Sequence, residues 1–162
     1  MNQRQNRVVL ATEVGELLKA HNSMLVTAES CTGGLIGATC TEIAGSSSWF
    51  YGGVISYANE AKVQGLSVQQ DTLASFGAVS EQTVKEMCAG ALLLGGDVAI
   101  AVSGVAGPGG GSIEKPVGCV YIGWLRKGKA AVVTRFQFEG DRESVREQAV
   151  IEALNGLKAC FK

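Results

Sequence analysis

The chain has 162 residues, 46% of them hydrophobic and 18% charged, so it can enclose a substantial core and is too apolar to be disordered. A formal net charge of -1 argues against nucleic-acid binding by charge, yet leaves room for one local basic pocket that holds a small anion. No apolar run is long enough to cross a bilayer, no signal peptide is legible, and five cysteines without a CxxC pair fit reduced thiols in a cytoplasm, not a disulfide framework or a zinc motif.

The length predicts one domain over residues 1–162. Val8 to Ala20 reads as a first helix, with Val9, Val14, Leu17 and Leu18 on a loosely apolar face. Met24 to Ala28 reads as a buried strand. Leu35 to Ile43 reads as a helix, ended by the glycine and serine run that follows Ala44. Gly53 to Tyr57 is a second strand, and Asn59 is placed to cap a short helix through Lys62 towards Leu66. Ser80 is the expected cap of the next helix, where Val84, Met87, Cys88, Ala91 and Leu92 follow helical spacing until Gly95-Gly96. Asp97 to Ser103 is a third strand, dense in apolar residues and therefore central.

The segment Gly104 to Ser112 is too glycine-rich for regular structure. Val117 to Leu125 and Ala130 to Phe138 read as strands that pair as a hairpin about the turn Arg126 to Lys129. Asp141 caps a last helix that turns Val145, Ala149, Ala153, Leu154 and Leu157 inward. Alternating helices and strands followed by a hairpin predict an α/β fold, a three-layer α/β/α domain with a mixed sheet.

The chemistry concentrates between the first strand and the second helix, in Thr27-Ala28-Glu29-Ser30-Cys31-Thr32-Gly33-Gly34. Glycines let a ligand approach the backbone, and amides at a helix start favour anions or oxyanions. Ser30 is thus a candidate nucleophile for acyl transfer. A Ser-His-Asp triad does not fit, because His21 is the only histidine and precedes a strand of roughly 17 Å whose far end carries Ser30. The Gly-x-Ser-x-Gly elbow is absent as well.

Lys62 is the best candidate base. It lies in the first turn of its helix, where the dipole and burial would both depress its pKa. Tyr57 would relay the proton or hold Lys62 in place. Spacing alone favours a plainer reading, an exposed lysine and a strand-end tyrosine that packs on its neighbours.

Cys31 is a rival nucleophile, since a thiol at a helix start has a lowered pKa, but no histidine is available to pair with it. It ranks below Ser30, and the other cysteines read as filler. Glu29 reads as structural, a partner for nearby amides, and Thr32 as the cap of the helix that can also touch a ligand.

Arg142 and Arg146 lie in the first turn and a half of the last helix. There a cation opposes the dipole at ~0.3–1 kcal/mol, and like charges at i, i+4 cost a further ~0.2–0.5 kcal/mol. A phosphate would reverse both penalties. Offsetting by Glu139, Glu143 or Glu147 on a solvated face explains the pair equally well. The Gly104–Ser112 loop lacks the Walker ending. It can wrap a phosphate or a flat ring, with Gly104 and Gly107 as candidate contacts.

Taken together, Thr27 to Gly34, Ala44-Gly45-Ser46-Ser47, Tyr57 with Asn59-Glu60-Ala61-Lys62, Gly77-Ala78-Val79-Ser80, Ser103 to Pro108 and Lys115-Pro116-Val117-Gly118 resemble the CinA C-terminal domain family. More narrowly they resemble its stand-alone nicotinamide-nucleotide amidohydrolases. The resemblance implies hydrolysis of the carboxamide of nicotinamide mononucleotide (NMN) to nicotinate mononucleotide and ammonia, within pyridine-nucleotide salvage. It implies a Ser/Lys amidohydrolase without metal or cofactor, with a small nucleotide as partner. The thiols fit a cytoplasmic location, and so compact an enzyme is compatible with a homo-oligomer.

Carried over by motif, Ser30 is the nucleophile, Lys62 the base and Tyr57 its assistant. Amides near Cys31, Thr32, Gly33 and Gly34 would hold the oxyanion, and Arg142, Arg146 and Thr32 are the candidates for phosphate. One departure stands out. The family usually reads Gly-Pro-Asp-Gly-Gly in the long loop, and here Gly109 replaces the carboxylate. The N-terminal domain that larger family proteins carry is not in this sequence, so no nucleotide-pyrophosphatase activity is expected.

Overall fold

The computed structural model describes residues 1–162. Its chain order is α1 (Gln3–Ala20), β1 (Leu25–Glu29), α2 (Leu35–Thr41), β2 (Phe50–Ile55), α3 (Asn59–Leu66), α4 (Gln70–Phe76), α5 (Glu81–Leu94), β3 (Val98–Gly104), β4 (Cys119–Arg126), β5 (Val132–Gln137) and α6 (Arg142–Leu157). The strands form one mixed sheet in the order β2-β1-β3-β4-β5. β1 runs parallel to both β2 and β3, while β3–β4 and β4–β5 are antiparallel.

Two apolar clusters sandwich this sheet. α1, α2 and α6 cover one face through Val14, Leu18, Ile36, Val150 and Leu154, against Leu25, Ile100 and Val102. α3 and α5 cover the other through Leu66, Val84, Met87 and Ala91, against Val26, Ala28 and Ala101. Burying a large side chain of this kind stabilises the fold by roughly 1.5–3 kcal/mol. The expected three layers, mixed sheet, central third strand and terminal hairpin are all present.

Several boundaries differ for physical reasons. α1 starts at Gln3, five residues before the expected Val8, because Asn2 and Gln5 form a reciprocal capping box ahead of the apolar stripe. β2 spans Phe50–Ile55 instead of Gly53 to Tyr57, so Tyr57 lies beyond the strand. Asn59 does not cap α3; Ala58 holds the N-cap position without a side-chain bond, and Asn59 is the first helical residue. α4 was not expected, and none of its seven residues is buried, which leaves no apolar periodicity to read. The caps at Ser80 and Asp141 are as expected, each side chain accepting from the amide three residues on, that of Thr83 and Ser144 respectively.

β1 is flanked by β2 on one side and β3 on the other, so the strand order reverses about it. The carboxyl ends of the parallel strands at such a switch point leave a crevice, the usual place for ligands in open α/β sheets.

Candidate active site

A cavity of about 270 Å³ opens at that crevice. It is lined by the carboxyl end of β1 (Ser30, Cys31), by Tyr57 and Lys62 beyond β2, and by Ala78 and Val79 before α5. The run from Ser103 to Gly107, with Gly109, Gly110 and the exposed Arg142, closes the rim. Two basic side chains, Lys62 and Arg142, face the cavity and no acidic one does, a lining that suits an anionic ligand.

Ser30 and Lys62 meet inside it. Lys62 Nζ stands 3.1 Å from Ser30 Oγ and also donates to the backbone carbonyls of Ser56 at 2.7 Å and Tyr57 at 3.3 Å. Both side chains are buried, Lys62 at 1% exposure. No carboxylate pairs with Lys62, and burial draws its pKa below the ordinary 10.5, the nearby Cys31 thiol opposing weakly. A buried lysine that loses its proton more easily and touches a hydroxyl can serve as that hydroxyl's base.

Tyr57 contacts Lys62 through its carbonyl, while its hydroxyl accepts from Arg142 Nη2 at 3.1 Å. Arg142 Nη1 donates to the Gly107 carbonyl at 2.7 Å, tying α6 to the glycine loop. Three of its five guanidinium hydrogens remain for a ligand. Neither Arg142 nor Arg146 pairs with a carboxylate. Glu147, one proposed offset, is held by Arg7 instead. Arg146 lies outside the lining and turns to the backbone behind it, donating to the carbonyls of Cys31 at 3.2 Å and Thr32 at 2.9 Å.

The start of α2 is capped by Glu29. Its buried carboxylate accepts from Ile36 N at 2.9 Å, Gly37 N at 3.0 Å and Thr32 Oγ1 at 2.7 Å. Thr32 is therefore not the cap: its hydroxyl serves Glu29, and Gly34 occupies the N-cap position with φ +101°. Thr32, Gly33 and Gly34 sit behind the cavity wall rather than in its lining. The Cys31 and Thr32 amides donate to no acceptor in the chain.

Cys31 lines the cavity, but its thiol is pushed up to about 11, chiefly by burial, with its own amide and Arg146 opposing. The expected lowering at a helix start is overruled by desolvation, and the thiol stays protonated. His21 stands before β1, at the end of the strand away from Ser30, where Nδ1 bonds the Leu17 carbonyl.

The glycine loop is shaped by close approaches. A Cβ on Gly104 would come within 2.6 Å of Val120 Cγ2, and one on Gly107, where φ is +88°, within 2.5 Å of Val117 Cγ1. Gly109 is different: a Cβ there would meet nothing within 4 Å. No group of three or more His, Cys, Asp or Glu side chains stands where it could hold a metal ion. No helix is long and apolar enough to cross a membrane.

Three lining positions outside the Gly104–Ser112 loop escape sequence reasoning: Ser103, Ala78 and Val79. Ser103 had one signal, a hydroxyl closing an otherwise apolar strand. The other two look like ordinary packing residues until the chain is folded.

The sequence pattern of the CinA C-terminal domain matches residues 8–161. Among curated relatives, the nicotinamide-nucleotide amidohydrolase PncC of Enterobacter agglomerans is 51% identical over 146 residues, covering 90% of this chain and 89% of the relative. The protein of the same name from Escherichia coli strain K12 is 48% identical over 149 residues, covering 91% and 90%. Among solved structures, a competence/damage inducible protein from Agrobacterium tumefaciens superposes with a TM-score of 0.94 at 40% identity, covering 97% of this chain and 96% of the other.

Proposed function

The chain belongs to the CinA C-terminal domain family, and on that premise we propose that it hydrolyses the carboxamide of NMN to nicotinate mononucleotide and ammonia. The observation that carries the reading is the buried contact of 3.1 Å between Lys62 Nζ and Ser30 Oγ in a cavity that Arg142 faces and no acidic side chain enters. Neutral Lys62 takes the Ser30 proton, and Ser30 attacks the carboxamide carbon. The unpartnered amide of Cys31, which lines the cavity, meets the oxyanion, an interaction worth ~2.7–4 kcal/mol per donor. Ammonia leaves, and water cleaves the acyl-enzyme.

Arg142 is the phosphate ligand in this reading, since it faces the cavity with hydrogens to spare. Arg146 holds the peptide groups that follow the nucleophile. The Gly104–Gly110 segment lies along the nucleotide. Residues 1–162 work as one amidohydrolase unit in the cytoplasm, on a small nucleotide and without metal, alone or as a homo-oligomer.

A second reading is a nucleotide-binding protein without turnover, or one that hydrolyses a related nucleotide. It draws on Gly109, which leaves a cavity position bare where the family carries a carboxylate. The deciding experiment is ammonia release from NMN by purified protein without added metal, beside Ser30→Ala. Ammonia from wild type alone supports the serine amidohydrolase. Saturable NMN binding with no ammonia from either protein overturns it in favour of the binding module.

A further inference from the structure

The carboxyl ends of β1 and β3 place two hydroxyls side by side. Glu29 is in register with Val102, and the Ser30 amide extends the ladder by donating to the Val102 carbonyl at 3.0 Å. The next position on each strand therefore sets Ser30 beside Ser103. Two residues earlier, Ala28 and Ala101 share the cluster under α3 and α5, and alternation carries both serines to that same face. Lys62 reaches Ser30 from this side. Neighbouring strands lie about 4.8 Å apart, so one small group can touch both hydroxyls.

Ser103 is 1% exposed and lines the cavity. Its hydroxyl meets no partner in the protein. Because no fully enclosed side-chain oxygen or nitrogen in the chain lacks a hydrogen bond, the Ser103 hydroxyl opens into the cavity. Buried polar groups are normally satisfied, and those left free at a site are the ones a ligand completes. Ser103 is also the only lining hydroxyl besides Ser30 and Tyr57, and the Tyr57 hydroxyl is already engaged by Arg142.

Amide hydrolysis has a requirement that this position meets. The tetrahedral adduct on Ser30 collapses by breaking its C–N bond, and the electron pair goes to nitrogen. That nitrogen must gain a proton to leave as ammonia, because an amide anion is too basic to depart. We infer that Ser103 is a further catalytic residue, whose hydroxyl contacts the carboxamide nitrogen and donates that proton as the C–N bond breaks. The proton that Lys62 removed from Ser30 then restores the Ser103 hydroxyl. Lys62 returns to its neutral form, the acyl-enzyme carbonyl reforms, and charge and atoms balance. The inference rests on the amide-hydrolysis reading of the same site.

The test compares Ser103→Ala with wild type on two substrates that share their acyl part. One is NMN, and the other is the trifluoroethyl ester of nicotinate mononucleotide, whose alkoxide departs without a proton donor. The expected result is a kcat on NMN lower by about a hundredfold, the lower end of what general acid–base groups supply. The ester rate should stay within about threefold, with KM and melting temperature little changed. An equal fall on both substrates would show a structural role and overturn the inference, as would an unchanged NMN rate. If wild type releases no ammonia from NMN, the parent reading fails and this one with it. If wild type is active and the variant loses both substrates alike, only the role of Ser103 falls.

Discussion

Glu29 and Ser30 are consecutive residues that serve opposite faces of the sheet. The Glu29 carboxylate turns towards α2 and collects the amides of Ile36 and Gly37, while the Ser30 hydroxyl turns towards α3 and meets Lys62. One strand end therefore separates the holding of the helix from the chemistry. Glu29→Gln replaces an acceptor oxygen with a donor group at a helix start. Expected is a loss of about 1.5–3 kcal/mol in urea denaturation, the range for a hydrogen bond to a charged group. Ser30→Ala should melt like wild type and lack ammonia release. Equal stability in Glu29→Gln would rule out the capping role.

Lys62 is both the proposed base and an amine held where a positive charge is costly. Lys62→Met removes the amine but keeps the apolar stem that packs beneath it. Turnover of NMN should fall by at least about a hundredfold. Stability at neutral pH should be unchanged or higher, because the cost of desolvating the charge disappears. Activity retained within tenfold in a folded Lys62→Met would remove the dyad.

The direction of the Lys62 shift fixes the pH dependence. Its folded-state pKa lies below the unfolded 10.5, so between the two values the unfolded chain binds the extra proton. Native stability owed to this residue rises as pH climbs through the folded pKa and levels off near 10.5. The kcat/KM for NMN should rise over the same limb, as the amine deprotonates. A pH–rate profile that falls with rising pH, with the protein still folded, would contradict a neutral lysine base.

Arg142 and Arg146 should part company in kinetics. Arg142→Ala should raise KM for NMN about tenfold or more and change little for nicotinamide riboside, which lacks the phosphate. Arg146→Ala should lower kcat on both, because it loosens the Cys31 and Thr32 carbonyls without touching phosphate. The reverse pattern would exchange their roles.

Gly109 offers room for a side chain, so Gly109→Asp should fold with an unchanged melting temperature. If the missing carboxylate orients substrate, kcat/KM for NMN should rise several-fold. A fall would mean that the bare position suits a different, more anionic nucleotide.

The layers were legible where burial is one-sided and long. The α5 stripe and the inward face of α6 follow helical spacing, and the apolar run of β3 announces a strand covered on both faces. α4 was hidden because it buries nothing. At the site, the strand-to-helix turn singled out Ser30, whereas spacing alone favoured an exposed lysine at Lys62 and the family resemblance made it the base; the fold buries it against Ser30. Three other facts depend on packing between segments distant in sequence. Glu29, not Thr32, caps α2; burial keeps the Cys31 thiol protonated; and register sets Ser103 beside Ser30.

The parallel neighbours of β1 have a consequence for how the protein is born. β2 and β3 each reach β1 through intervening helices, so neither pairing forms from a local turn, and such non-local contacts are slow to close. The hairpin of β4 and β5 is local but supplies no lining residue of the cavity. A nascent or truncated chain that has made α1, β1 and α2 carries Ser30 with no base beside it. On the proposed mechanism the Ser30–Lys62 pair thus waits for β2 and α3 to join β1, and the cavity waits for β3 and for Arg142 of α6.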